Sequence, residues 1–346
     1  MSGQDRARPA TVHGVSADVL SSRFFKVAGV TAALALVVTA CGGGDLGKSN
    51  YPRTTVAAAN ADTTPSGPIT DPAVASEALR LVQPCQFVDK TALASLGTVT
   101  DEPSPSSVAF DQCRNGVKDP GGKEIRFTVK VGGAVSFATS NNMAGSIGGL
   151  PLVVVKGTDT SSCDVSALTS RELKLGVTFT VMYNGGDACR AGQTALDGAL
   201  KKLHESPAKY SAPTGSLLTA DPCTMLDTSA IDAAGVKSAT RLTTTLHSCV
   251  WGLSPTATVT LAPNLAPAEG DGFVKVDLGG GLTAYQKAST TSADCRVQWK
   301  HREWQGKQVE VAQVQFTDVG GSSGKDAACG KAVGLAKNLA QKLPKA

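Results

Sequence analysis

Histidine is nearly missing from this 346-residue chain, which carries four: His13, His204, His247 and His301. A hydrolase triad needs a histidine between its serine and its carboxylate, and imidazole is a leading metal ligand, so the shortage weighs against both chemistries. No HExxH pair and no CxxC occurs, and successive cysteines after Cys41 stand at least 26 residues apart, outside the usual zinc and dithiol spacings. Charged residues make up 18% of the chain and the formal net charge is +4, too little for an electrostatic grip on nucleic acid. No apolar run reaches the roughly 20 residues of a comfortable bilayer-spanning helix. Glycine is plentiful at 37, and its clusters at 132–133, 148–149, 185–186 and 279–281 read as turns. The sequence assigns no catalytic residue, no metal ligand and no cofactor, and it implies no nucleic-acid partner.

What is present begins at the N-terminus. Arg23 and Lys26 precede fourteen apolar or small residues, 27–40. That length suits the hydrophobic region of a signal peptide. The run ends Val38-Thr39-Ala40-Cys41, followed by three glycines. This string resembles the bacterial lipobox, whose cysteine is diacylated and whose preceding peptide bond is cut. The resemblance implies a lipoprotein signal peptide at 1–40 and a diacylglycerol on Cys41. It also implies a partner, the cell membrane, with the protein on its extracytoplasmic face. Two acyl chains, at about 0.8 kcal/mol per buried methylene, hold durably where one does not. The mature chain would keep 29 basic and 27 acidic residues, nearly neutral. Residues 41–76 are rich in Gly, Thr, Ala, Pro and Ser, and read as a flexible tether with a reach of roughly 30 Å.

Eight cysteines remain, in two sets: Cys85, Cys113, Cys163, Cys189, then Cys223, Cys249, Cys295, Cys329. Their spacings are 28, 50 and 26 in the first set, against 26, 46 and 34 in the second. Flanking residues repeat as well: Pro84/Pro222, Asp89/Asp227, Ala92/Ala230 and Gly97/Gly235 align without a gap. The expectation is two tandem homologous domains, at 77–205 and 220–346, joined by a Pro- and Ser-containing linker at 206–219.

Within each repeat, Asp89 or Asp227 is suited to cap a short helix ending at Gly97 or Gly235. Residues 124–131 alternate strictly, with Ile125, Phe127, Val129 and Val131 on one face. That is a half-buried strand. Ala257, Val259 and Leu261 are its counterpart. Val177, Phe179, Val181 and Tyr183 mark an inner face, whereas Val309 and Val311 fall out of phase with Val314 and Phe316, which asks for a bulge near Ala312. Leu196, Leu200 and Leu203, and then Leu335, Leu339 and Leu343, form helical stripes that close each repeat. The fold class is α+β, an antiparallel sheet with helices packed on one face. Four cysteines allow three pairings. Hairpin geometry favours neighbours, giving 85–113, 163–189, 223–249 and 295–329, with each bridge contributing roughly 3 kcal/mol in the chain-entropy model.

One string reads as a contact surface. Trp299, Lys300, His301, Arg302 and Trp304 fall on the turn expected between the last two strands of the second repeat, and tryptophan and arginine are enriched in binding hot spots. The competing reading is a solvated turn with Trp251 and Trp299 pointing into the core. All three tryptophans lie in the second repeat. That asymmetry suggests binding by the second repeat and scaffolding by the first.

With the Pro-Cys openings, Cys249-Val250-Trp251, the strand-borne third cysteine and the closing Cys-plus-helix in view, the chain resembles the uncharacterised four-cysteine lipoproteins of actinobacteria. More distantly it resembles the extracellular sensor domains of mycobacterial serine/threonine kinases. The second repeat fits best, since the first has Gln83 before its proline and Arg114-Asn115 where Val250-Trp251 stands. The resemblance implies a cell-envelope lipoprotein in a ligand-binding or accessory role. Two functional expectations follow. The first is a non-catalytic module recognising a small ligand, a glycan or an envelope protein through a groove on its sheet. The second is an envelope hydrolase that uses carboxylates without histidine, with two acids converging in a pocket.

Overall fold

A computed structural model describes residues 64–135, 138–319 and 324–346, so the expected signal peptide, Cys41 and the first part of the expected tether lie outside the described residues. The 64–205 half carries two short strands, β1 (Thr98–Val99) and β2 (Ser104–Pro105), then β3 (Gln112–Lys118), β4 (Glu124–Ala134), β5 (Met143–Ile147), β6 (Leu150–Lys156), β7 (Ser162–Ser170) and β8 (Leu175–Tyr183). The later half carries β9 (Arg241–Thr245), β10 (Ser248–Trp251), β11 (Thr256–Asn264), β12 (Val274–Asp277), β13 (Thr283–Ala288), β14 (Ala293–Glu303) and β15 (Val309–Asp318). Helices α1 (Ser76–Arg80), α2 (Ala188–Glu205), α3 (Thr228–Ala233) and α4 (Lys325–Lys342) complete the described chain. All fifteen strands join one sheet, in the order β12-β13-β14-β15-β11-β10-β9-β4-β8-β7-β6-β5, with β3 beside β4 and carrying β1 and β2. Each pairing is antiparallel. The class is therefore α+β, dominated by an antiparallel sheet.

Alternation decides which face is covered. Ile125, Phe127, Val129 and Val131 of β4 and Val177, Phe179 and Val181 of β8 are buried under Leu196, Leu200 and Leu203 of α2. Ala257, Val259 and Leu261 of β11 and Val314 and Phe316 of β15 are buried with Leu335 and Leu339 of α4 in a second cluster. Four disulfides fasten these layers. Cys85–Cys113 and Cys223–Cys249 tie short turns to β3 and β10, and Cys163–Cys189 and Cys295–Cys329 tie β7 and β14 to the closing helices.

A narrow junction links the halves of the sheet. Gly133 pairs with Thr245, and Leu246 N–H donates to Gly132 O at 3.0 Å. Leu246, in the β9–β10 turn, is buried in the core of the earlier half. Gly132 makes room for it: φ is +74°, and a Cβ there would lie 2.2 Å from Leu246 Cδ1.

Several local expectations change. Residues 90–96 form turns instead of an α-helix, although Asp89 Oδ1 still accepts from Ala92 N–H at 2.8 Å. The bulge falls on β14, between Lys300 and Arg302, and β15 runs against β11 without a break. The 206–219 segment is stitched in on both sides. Gln83 N–H donates to Ala208 O and Tyr210 N–H to Leu81 O, and Leu217 and Leu218 are fully buried. Backbone bonds of this kind leave no side-chain period to read.

The tether also docks earlier than 76. Arg171 Nε donates to Gly67 O at 2.8 Å, Val74 is buried, and Asp71 Oδ2 lies 2.6 Å from His204 Nε2. His204 Nδ1 bonds Leu200 O at 2.8 Å, so both ring nitrogens face acceptors and the imidazolium is favoured. The Asp71 carboxylate, then the carbonyl, raise the His204 pKa. A raised pKa stabilises the docked strap fully below the unfolded histidine value, and the contribution disappears as pH climbs through the folded value. Amide exchange at Ala73 and Val74, corrected for intrinsic rate, is therefore expected to accelerate in alkaline buffer, and His204→Ala to remove that pH dependence. A pH dependence that survives in the variant contradicts the assignment.

Candidate functional site

The open face of the earlier half holds a groove of about 730 Å³. Alternation turns Arg114, Gly116 and Lys118 of β3 away from the core, together with Glu124, Arg126 and Thr128 of β4 and Thr180 and Met182 of β8. Register sets the floor. Arg114 lies opposite Thr128, and Thr128 opposite Thr180; Gly116 lies opposite Arg126, and Arg126 opposite Met182. The missing side chain at Gly116 leaves a dent flanked along β3 by Arg114 and Lys118. Asp101 and Glu102, between β1 and β2, form a wall. That wall is held by Asn115, whose buried Nδ2 donates to Val88 O at 2.8 Å and to Asp101 O at 3.4 Å. Arg126 donates twice to Glu124, at 3.0 and 2.9 Å, and these hydrogen bonds hold the Glu124 carboxyl below the usual carboxylate range.

The groove thus sits where the two halves differ in sequence. Arg114 and Asn115 occupy the positions of Val250 and Trp251, and Trp251 is buried in the other core. Scaffolding was the expectation for this half, yet it carries this groove. Arg126 was legible only as the polar side of a strand, and Arg114 and Lys118 not even as that, because register across β3, β4 and β8 is not written in any one of them.

The tryptophan string is placed differently from its expectation. Trp299 is 1% exposed and belongs to the core, and β14 continues through Glu303, so the turn begins only at Trp304. His301 Nε2 bonds Gly215 O at 2.7 Å and Arg302 Nη1 donates to Thr214 O at 3.0 Å, so both hold the 214–215 backbone. Trp304 packs edge-on to Phe110 and Tyr210, with centroids 5.1 and 5.5 Å away. Lys300 is exposed and pairs with Glu303. Four of the five residues thus contact the protein's own chain: Trp299 is buried, and His301, Arg302 and Trp304 are half-buried.

A smaller cleft of about 230 Å³ lies beside that aromatic cluster, lined in part by Asp111, Lys130, Thr245 and His247. Burial raises the Asp111 pKa to about 6 and lowers that of His247 to about 4. Among the described residues no group of three His, Cys, Asp or Glu side chains could hold a metal, and no helix is long and apolar enough to cross a membrane.

Two strings deserve placing because they spell known motifs. Residues 42–49 read G-G-G-D-L-G-K-S, a phosphate-loop pattern, and residues 320–324 read G-G-S-S-G, a nucleophile-elbow pattern. Residues 42–49 and 320–323 lie outside the described residues. The second follows an antiparallel strand, whereas hydrolase elbows belong to α/β sheets.

No protein-family model matches the chain, and no curated protein matches it. Among solved structures it is similar to the di-domain ARO/CYC StfQ from the steffimycin biosynthetic pathway. That match has 12% identity over 76% of this chain and 96% of that one, with a TM-score of 0.15. It is also similar to a putative protein in the dynemicin biosynthetic locus, at 12% identity over 79% of this chain and 95% of that one, with a TM-score of 0.16. Likenesses this slight carry no argument about fold or chemistry.

Proposed function

We propose that the chain is a lipid-anchored, extracytoplasmic binding protein of the cell envelope, made of two copies of one disulfide-stapled module, and that it holds its ligand in the groove over β3, β4 and β8. The groove carries this reading. Its floor mixes guanidinium, ammonium, hydroxyl and thioether groups from three strands, and its wall is fastened by Asn115. Such a surface can recognise a ligand by charge and hydrogen bonding: Glu124 is paired with Arg126, and Asp101 and Glu102 stand in the wall. Support for the duplication comes from strand order. The series β5-β6-β7-β8-β4-β3 in the earlier half has the same succession as β12-β13-β14-β15-β11-β10 in the later one, with β1 and β9 in matching places. Support for export comes from the four disulfides, which persist in oxidising compartments. The anchor rests on the Val38–Cys41 string.

The test fills the groove. Gly116 has no positive φ, and a Cβ there would meet Glu124 Oε1 and Ile125 O at 3.6 Å, ordinary contact, so Gly116→Leu is expected to fold. A photocrosslinking residue at Thr128 is expected to capture one reproducible envelope component in membranes, and Gly116→Leu to abolish the adduct. The same adduct with Gly116→Leu, or from exposed Lys337 on α4, overturns the groove. Conversion of the captured component into product favours the carboxylate hydrolase instead.

A further inference from the structure

We infer that the cleft between the two halves is a second binding site, which takes a neutral polyhydroxylated ring such as a single sugar residue. At about 230 Å³ it falls below the span of pockets for drug-sized ligands, roughly 300–1,000 Å³, and suits one small ring better than a chain. It lies beside the narrow junction of the sheet, where Gly133 pairs with Thr245. Asp111 and Lys130 reach it from the earlier half, and Thr245, His247, Ser248 and Thr260 from the later one.

Two hydrogen-bond acceptors in this lining lack donors. His247 Nε2 is 3.0 Å from Leu218 O, and only an N–H can bond a carbonyl there. A neutral ring therefore carries its proton on Nε2 and leaves Nδ1 a bare lone pair. Nδ1 of His247 and Oδ2 of Asp111 are both shielded from bulk water and have no hydrogen-bond partner among the described residues. Buried acceptors left without donors are costly, and a native fold that keeps two of them in one cleft invites a donor from outside. Thr245 brings the pair together. Its hydroxyl accepts from His247 N–H at 3.0 Å and bonds the Asp111 carboxyl, and its backbone forms the bridge to Gly133 that joins the halves of the sheet.

The remaining lining selects among donors. A cation would face the ammonium of Lys130, whose field already acts on Asp111. An anion would face the two bare acceptors. Adjacent hydroxyls on one ring satisfy both conditions. Oδ2 and Nδ1 are closed to water in this structure and open to the cleft when Asp111 or His247 turns. Each hydroxyl then donates to one of them and accepts from the Lys130 ammonium or from the Ser248 and Thr260 hydroxyls, which lie 3.1 Å apart.

Saturation-transfer NMR of the full chain with glucose, galactose and mannose, each alone, tests the site. At least one sugar is expected to give a signal. That signal should weaken about tenfold in Asp111→Asn and in Ser248→Ala, a change of about 1.4 kcal/mol in binding, and stay intact in Gly116→Leu, which occludes only the sheet groove. Protection of the 244–248 amides confirms that each variant is folded. No signal from any of the three sugars overturns the inference, as does a signal that both cleft variants leave unchanged. A signal lost only in Gly116→Leu moves the sugar to the groove and overturns it too.

Discussion

Asp111→Asn is expected to raise the unfolding free energy by about 2–3 kcal/mol at pH 7.5 and by no more than about 0.5 kcal/mol at pH 4. The cause is burial. Asp111 is 6% exposed, and desolvation, only partly offset by Lys130 and by hydrogen bonds, lifts its pKa from 3.8 to about 6. Well below pH 3.8 the carboxyl is neutral in both states and contributes no difference. As pH rises from 4 to 6 the unfolded chain ionises first, so the native state loses stability through that window and then levels off. Two pKa units at about 1.36 kcal/mol each set the magnitude. His247 acts in the opposite direction. Its pKa falls from 6.5 to about 4 because burial penalises the imidazolium, so its stabilising effect is complete above 6.5 and drains away as pH falls to 4. In the natural protein the two slopes oppose each other across nearly the same range. In Asp111→Asn only the histidine slope remains, and stability should drop steeply between pH 6.5 and 4. Urea unfolding at four pH values reads this directly. An equal gain at pH 4 and pH 7.5 would refute the assignment.

These two side chains also show where sequence reasoning stops. The strict alternation of 124–131, the leucine stripes of α2 and α4, and the four neighbour pairings of cysteine are local patterns, and each holds in the fold except at Leu343, which sits half-buried just past the end of α4. Asp111 and His247 are 136 positions apart and carry no shared pattern. What unites them is the fit of Leu246 beside Gly132, a contact across the two halves that neither half announces. The contacts of the tryptophan string were hidden for a related reason. A run of Trp, Lys, His, Arg and Trp reads as a sticky surface on an isolated hairpin. Here the 214–215 backbone and the Phe110 and Tyr210 rings arrive from other parts of the chain to cover it. Groove residues were half legible: the outward direction of those on β4 and β8 followed from alternation, whereas β3 itself and the convergence of all three strands required register.

The out-of-phase stretch at Val309–Val311 leads to the second large effect. Alternation of β15 puts Glu310 on the covered face with Ala312, Val314 and Phe316, and it is 0% exposed. A carboxylate in that position looks like an error until the incoming chain is considered. Ser216 Oγ–H donates to its Oε1 at 2.5 Å and Leu217 N–H to its Oε2 at 2.6 Å, which caps the turn that leads into the later half. Charge-assisted bonds contribute roughly 1.5–3 kcal/mol each, and a buried donor stripped of its acceptor forfeits a similar amount. Glu310→Ala is therefore expected to destabilise by about 3–5 kcal/mol. Glu310→Gln keeps the shape but offers one acceptor oxygen and turns its amide N–H groups toward the other donor, so it should cost on the order of 2–3 kcal/mol despite being isosteric. A double-mutant cycle with Ser216→Ala separates this from simple loss of volume. A coupling of about 1.5 kcal/mol or more between the two positions is expected, with faster amide exchange confined first to residues 215–219. Additive effects, or a Gln variant as stable as the natural protein, would mean that the carboxylate sits there without holding the chain.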